Sequence, residues 1–105
     1  MTDASPIVLR EGRLYFTREV CERHLAGSNA VALIRAGTDL VILPVRHAAG
    51  GGYLLKLRTS AGERVAAAPD FFRAEGLGDD VVWSGQAVWQ ENRAAFVLHN
   101  FFLCK

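Results

Sequence analysis

Cysteine, proline and lysine are scarce in this chain of 105 residues, which holds two, three and two of them. Cys21 and Cys104 form no zinc-binding or redox spacing, so both read as buried or unreactive thiols. Charge of one sign is missing as well. Twelve Lys plus Arg face eleven Asp plus Glu, a formal charge of +1. That balance gives no general pull toward nucleic acid or membrane, and it leaves room for a local patch. No apolar run is long enough to span a bilayer. The segment Met1–Pro6 lacks the apolar stretch of a secretory leader. A cytoplasmic protein with no membrane partner is therefore expected. No paired carboxylates, Ser-His-Asp set or dinucleotide fingerprint stands out. The expectation is a non-catalytic protein with no cofactor and no metal.

What is present is globular. Half the residues are hydrophobic and 22% are charged, a composition that folds around one modest core. The length fits a single domain over 1–105. Nearly all the positive charge is arginine, since Lys56 and Lys105 are the only lysines. Arginine suits planar, bidentate recognition of carboxylate or phosphate, although an arginine-rich genome leaves the same trace.

Along the chain the pattern is mostly β with two short helices. Residues 1–6 read as a frayed start. Ile7-Val8-Leu9 and Arg13-Leu14-Tyr15-Phe16 are short strands around Glu11-Gly12. Thr17 is placed to cap a helix from Arg18 to Leu25. Val20, Cys21, His24 and Leu25 share its apolar face, Phe16 packs on Cys21 as a staple, and Gly27 stops it. Ala30–Ala36 and Asp39–Leu43 flank Gly37-Thr38, which suits a II′ hairpin. Pro44 should end or bulge the second strand. Tyr53–Thr59 alternates, with Tyr53, Leu55 and Leu57 facing in. After a turn at Ser60-Ala61-Gly62 comes a return strand over Glu63–Ala67. Pro69 opens the second helix and Gly76 closes it. Val81–Gln90 is a long strand with a bulge expected at Gly85, and Ala94–His99 follows it back.

The order strand, short helix, glycine, hairpin occurs twice, over half-units of about 7–46 and 53–99. Setting Arg13 on Arg64 puts Leu14 on Val65, Val20 on Phe71, Gly27 on Gly78 and Val31 on Val82. The expected architecture is a pseudo-twofold, barrel-like fold in which each half completes the other's core. Gly12-Arg13-Leu14-Tyr15-Phe16-Thr17-Arg18-Glu19-Val20, with the helix, Gly27 and hairpin that follow, resembles the swapped-hairpin domain of the AbrB/SpoVT transition-state regulators. Arg64-Val65 through Pro69-Asp70-Phe71 to Gly76-Leu77 is similar, and two such units in tandem resemble the MraZ arrangement. Thr17 stands where the family has proline. The resemblance implies a DNA-binding regulator, or a descendant that kept the fold, with duplex DNA met by arginines near the first strand and helix. Arg13 and Arg64 are the matching basic positions, with Arg18 and Arg23 nearby.

The residues themselves offer several constellations. Arg10, Arg13, Arg18 and Arg23 form a candidate phosphate patch, interleaved with Glu11, Glu19 and Glu22, which would make it an ordinary solvated face. His47 with Gly50-Gly51-Gly52 lacks the following helix of a phosphate loop and reads as a flexible hairpin loop. Cys21 and His24 lack further ligands or an orienting group and read as core. Asp79-Asp80 reads as turn chemistry. Trp83, Trp89, Phe96, Phe101 and Phe102 offer a base-stacking platform, but Trp83 and Trp89 share one strand parity and read as core. Phe101 and Phe102 have opposite strand parity, so one of them is expected on the surface as a contact for a protein partner or a second subunit. An interaction adaptor or accessory subunit using that apolar tail is the alternative to the DNA-binding reading. A small barrel holding an anionic ligand through its arginines is a third.

Overall fold

A computed structural model describes residues 4–46 and 52–103. Its elements are β1 (Ala4–Arg10), β2 (Arg13–Phe16), α1 (Arg18–His24), β3 (Ala30–Ala36), β4 (Asp39–Val45), β5 (Tyr53–Leu57), β6 (Arg64–Ala67), α2 (Pro69–Ala74), β7 (Val82–Gln90) and β8 (Ala95–Leu98), with a 3₁₀ turn at Phe101–Leu103. The eight strands close into a barrel in the order β1-β2-β6-β5-β3-β4-β8-β7. Every neighbouring pair runs antiparallel.

The local chemistry explains the elements. Glu11 (φ 54°) and Gly12 (φ 73°) make the tight turn between β1 and β2, a two-residue turn of the I′ kind. A Cβ at position 12 would also sit 2.7 Å from Pro69 Cα, so glycine is required there twice over. Thr17 caps α1 by accepting from the Val20 N–H at 3.3 Å. Gly37 (φ 65°) takes the first turn position between β3 and β4, as a II′ turn demands. α2 begins with Pro69 at N1 and has no side-chain cap.

The duplication expected from the sequence appears in the strand order. Exchanging β1–β4 with β5–β8 leaves the ring of neighbours unchanged. β2 meets β6 and β4 meets β8 as counterparts, and β1–β7 is matched by β5–β3. The alignment of the halves shifts by one residue from the one read in the sequence. Equivalent residues must lie on the same side of the sheet. Leu14 is buried inside and pairs with Ala66, whereas Val65 pairs with the outward Tyr15. Leu14 therefore corresponds to Ala66, Phe16 to Ala68 and Val20 to Phe72, all buried in one core. Val31 does not match Val82, which faces water. A linear comparison tolerates such a slip because it does not see which way a side chain points.

Four expectations about elements are corrected. The chain is ordered as strand from Ala4, because Ala4, Ser5 and Pro6 pair with Val88, Ala87 and Gln86. Pro44 neither ends nor bulges its strand. It pairs with Val31 beyond the point where β8 stops at Ile42, so its missing N–H meets only a one-sided ladder. Leu57 shares the parity of the buried Leu55 but is 67% exposed, because β5 ends there and the core does not reach its side chain. Gly85 is no bulge, since the β1–β7 register runs unbroken from Ala4 with Val88 to Arg10 with Val82.

The tail is also corrected. Phe101 and Phe102 are 1% and 5% exposed and belong to the core. Strand parity fails because this segment is a 3₁₀ turn, not a strand. Phe101 packs on Trp83 and Phe72. The Phe102 N–H donates to Thr38 O at 3.0 Å, and the Arg35 guanidinium lies 4.5 Å from the Phe102 ring centre. Among the described residues no helix is long and apolar enough to cross a membrane.

Candidate nucleic-acid interface

Alternation turns Leu9, Leu14 and Phe16 inward and leaves Val8, Arg10, Arg13 and Tyr15 outside. Across the sheet the outward row reads Ser84, Val8, Tyr15, Val65 and Lys56, from β7 through β1, β2 and β6 to β5. Arg10 and Arg13 are direct cross-strand partners beside this row. Arg58, just beyond β5, reaches over it from the other end. The Arg10 and Arg58 guanidiniums each lie 5.0 Å from the centre of the Tyr15 ring. Between them is a depression of about 180 Å³ lined by Val8, Arg10, Tyr15 and Arg58. A second, of about 170 Å³, adjoins it and is lined by Pro6, Val8, Tyr15, Phe16, Thr17, Arg58 and Glu63. The two form one groove with an apolar and aromatic floor and cationic walls.

The acids on this face are engaged. Glu63 pairs with Arg58 at 3.1 Å, and Glu11 lies 3.6 Å from Arg13. Arg10 and Lys56 have no acidic partner among the described residues. Exposed ion pairs of this kind are weak and screened, so a phosphate can exchange for either glutamate. The face therefore carries four exposed cations against these two glutamates, with Asp79 near enough to Arg13 for its carboxyl to feel that charge, in a chain whose net charge is only +1.

The structure divides the five arginines expected to meet phosphate. Arg10 and Arg13 stand together on the groove. Arg18, at the start of α1, pairs with Glu22 at 3.0 Å. It lies against the β5–β6 turn, where a Cβ on Gly62 would be 3.4 Å from its Cγ. Arg23 lines a neighbouring hollow with Ala4, Ser5 and Glu19, which shares Pro6 and Thr17 with the groove. Arg64 is half-buried and plays a structural part. Its Nη1 donates to the Ser28 carbonyl at 2.9 Å, tying β6 to the segment after α1. Tyr15, Lys56 and Arg58 join the site without standing out in the linear sequence. Their signal is alternation: in β2 it turns Leu14 and Phe16 inward and leaves Tyr15 outside, and from β5 onward it turns Tyr53 and Leu55 inward and leaves Lys56 and Arg58 outside.

The remaining candidates do not assemble into chemistry. Burial pushes the Cys21 thiol above its ordinary pKa, which makes it a poor nucleophile. His24 stacks on Trp89 with ring centres 4.2 Å apart, and Phe96 meets it edge-on at 5.2 Å. Trp83 and Trp89 pack against the core as expected. Asp79 and Asp80 lie in a turn that the Val81 N–H closes on Gly78 O at 3.1 Å. Asp79 also accepts two hydrogen bonds from Arg73, of 3.2 and 3.0 Å, which hold its carboxyl below the usual range. Burial first, then the charge of Asp70 and its hydrogen bond, raise the Tyr53 hydroxyl. Among the described residues no three His, Cys, Asp or Glu gather as metal ligands. His47, Gly50, Gly51 and Cys104 lie outside the described residues.

No protein-family model, curated protein or solved structure matches this chain.

Proposed function

We propose that this protein is a non-catalytic nucleic-acid-binding module, related in fold to the AbrB and MraZ regulators, which contacts the phosphate backbone through the outer face of β1, β2, β6 and β5. One observation carries this reading: Arg10 and Arg58 converge on Tyr15 in an exposed groove, with Arg13 and Lys56 on the same face. The strand order that survives exchange of its halves supports the relationship to tandem swapped-hairpin folds. The adaptor reading loses its motivating residues, since Phe101 and Phe102 are buried.

The test is fluorescence anisotropy of a labelled duplex at several salt concentrations. Affinity falls with salt, and each of Arg10→Ala and Lys56→Ala lowers the slope of log K against log salt by about 0.9 for a lost duplex phosphate contact. Both variants keep the wild-type unfolding midpoint. Arg64→Ala behaves in the opposite way, lowering the midpoint because the Ser28 carbonyl loses its donor. Absence of binding at low salt, or slopes unchanged by both surface substitutions, overturns the proposal.

A further inference from the structure

Resting on that reading, we infer that the groove over Tyr15 takes an unpaired polynucleotide strand, with bases on its floor and phosphates on its arginine walls. The floor is the starting point. Phosphate contacts need only exposed cations, and a duplex presents little else to a convex sheet face, because its bases are stacked inside. Here the cations border apolar surface: Pro6, Val8 and the Tyr15 ring line the groove, and Arg58 borders both of its depressions. Such a floor gains nothing from phosphate. It does gain from a planar, weakly hydrated base, which stacks on tyrosine without regard to sequence.

The geometry fits a strand in two further ways. Pro6, Val8 and Arg10 are successive outward residues of β1, so the groove runs straight for about 13 Å from the Pro6 end of its floor to the Arg10 wall, at the rise of an extended chain. That is long enough for more than one base. The guanidiniums are themselves planar, and a base can stack on a guanidinium as well as on a ring. The Arg10 and Arg58 guanidiniums lie over the Tyr15 ring at 5.0 Å from its centre, so a base that stacks on the ring displaces them, and from there they can stack on its far face or bind the phosphates that flank it. Glu63 at the far end is compensated by Arg58, so the strand meets net positive charge along its path.

A binding cycle tests this. The probes are a labelled oligothymidine, an abasic strand of the same length, and a duplex of the same length. The proteins are wild type, Tyr15→Ala and Tyr15→Leu, the last keeping an apolar floor without a ring; circular dichroism checks that both variants fold. The expected result is that oligothymidine binds more tightly than either other probe. Tyr15→Ala weakens oligothymidine by about tenfold, as loss of one stacked base should, and leaves the abasic strand unchanged. Tyr15→Leu recovers only part of the loss. If all three probes bind alike and Tyr15→Ala changes none of them, the groove inference is overturned while the phosphate reading stands. If no probe binds even at low salt, both fall together.

Discussion

Gly85 lacks a side chain because the Trp83 ring fills the space that a side chain would need. A Cβ there would come within 2.7 Å of Trp83 Cζ2. Trp83 in turn rests against Phe101 at 4.9 Å between ring centres, so it cannot simply move aside. Gly85→Ala should therefore cost about 1–3 kcal/mol through overpacking, read as a lower urea midpoint with an unchanged m-value. An unchanged midpoint would mean that Trp83 has room to turn. This role is hidden in the sequence. A glycine on a strand suggests a bulge, and nothing linear says that the ring two residues earlier folds over it. Tyr15 and Arg58 are obscured for a related reason. Their alternation is readable, but their meeting depends on β2 and β5 both pairing with β6.

The elements legible in the sequence are those set by neighbours in the chain. Thr17 with the Val20 N–H, Gly37 at its turn, Pro69 at the start of α2 and the strands of the two tight hairpins all follow from local rules. The C-terminal segment escapes those rules, because strand parity does not apply where the chain turns as a 3₁₀ helix. Asn100, at φ 58°, donates its N–H to Asp39 Oδ1 at 2.8 Å and starts that turn. Phe101 then plugs the barrel beside Phe72 and Trp83. Phe101→Ala should cost about 3–5 kcal/mol, a large share of the stability of a domain this size. Equilibrium unfolding in urea measures it. A surface role would give the reverse pattern, with stability kept and self-association altered, and sedimentation of the folded variant would reveal that.

At the scale of the molecule, the barrel wall has two different outer sides. The outer face of β1, β2, β6 and β5 displays Arg10, Arg13, Lys56 and Arg58. Across the barrel, Val41, Ala95 and Val97 of β4 and β8 alternate with the inward residues yet are themselves buried, forming a second, small apolar cluster. Composition cannot reveal this division, because a near-zero net charge averages over both faces. It arises from pairings between residues far apart in the chain, β1 with β7 and β2 with β6. The central claim is that one face, and not the whole surface, meets nucleic acid. Amide NMR shifts followed during titration with a short oligonucleotide test it most directly. Perturbations are expected to cluster at Val8–Arg13, Tyr15, Lys56–Arg58 and Val65, with β4 and β8 silent. Perturbations centred on β4 and β8, or spread evenly over the barrel, would contradict the claim.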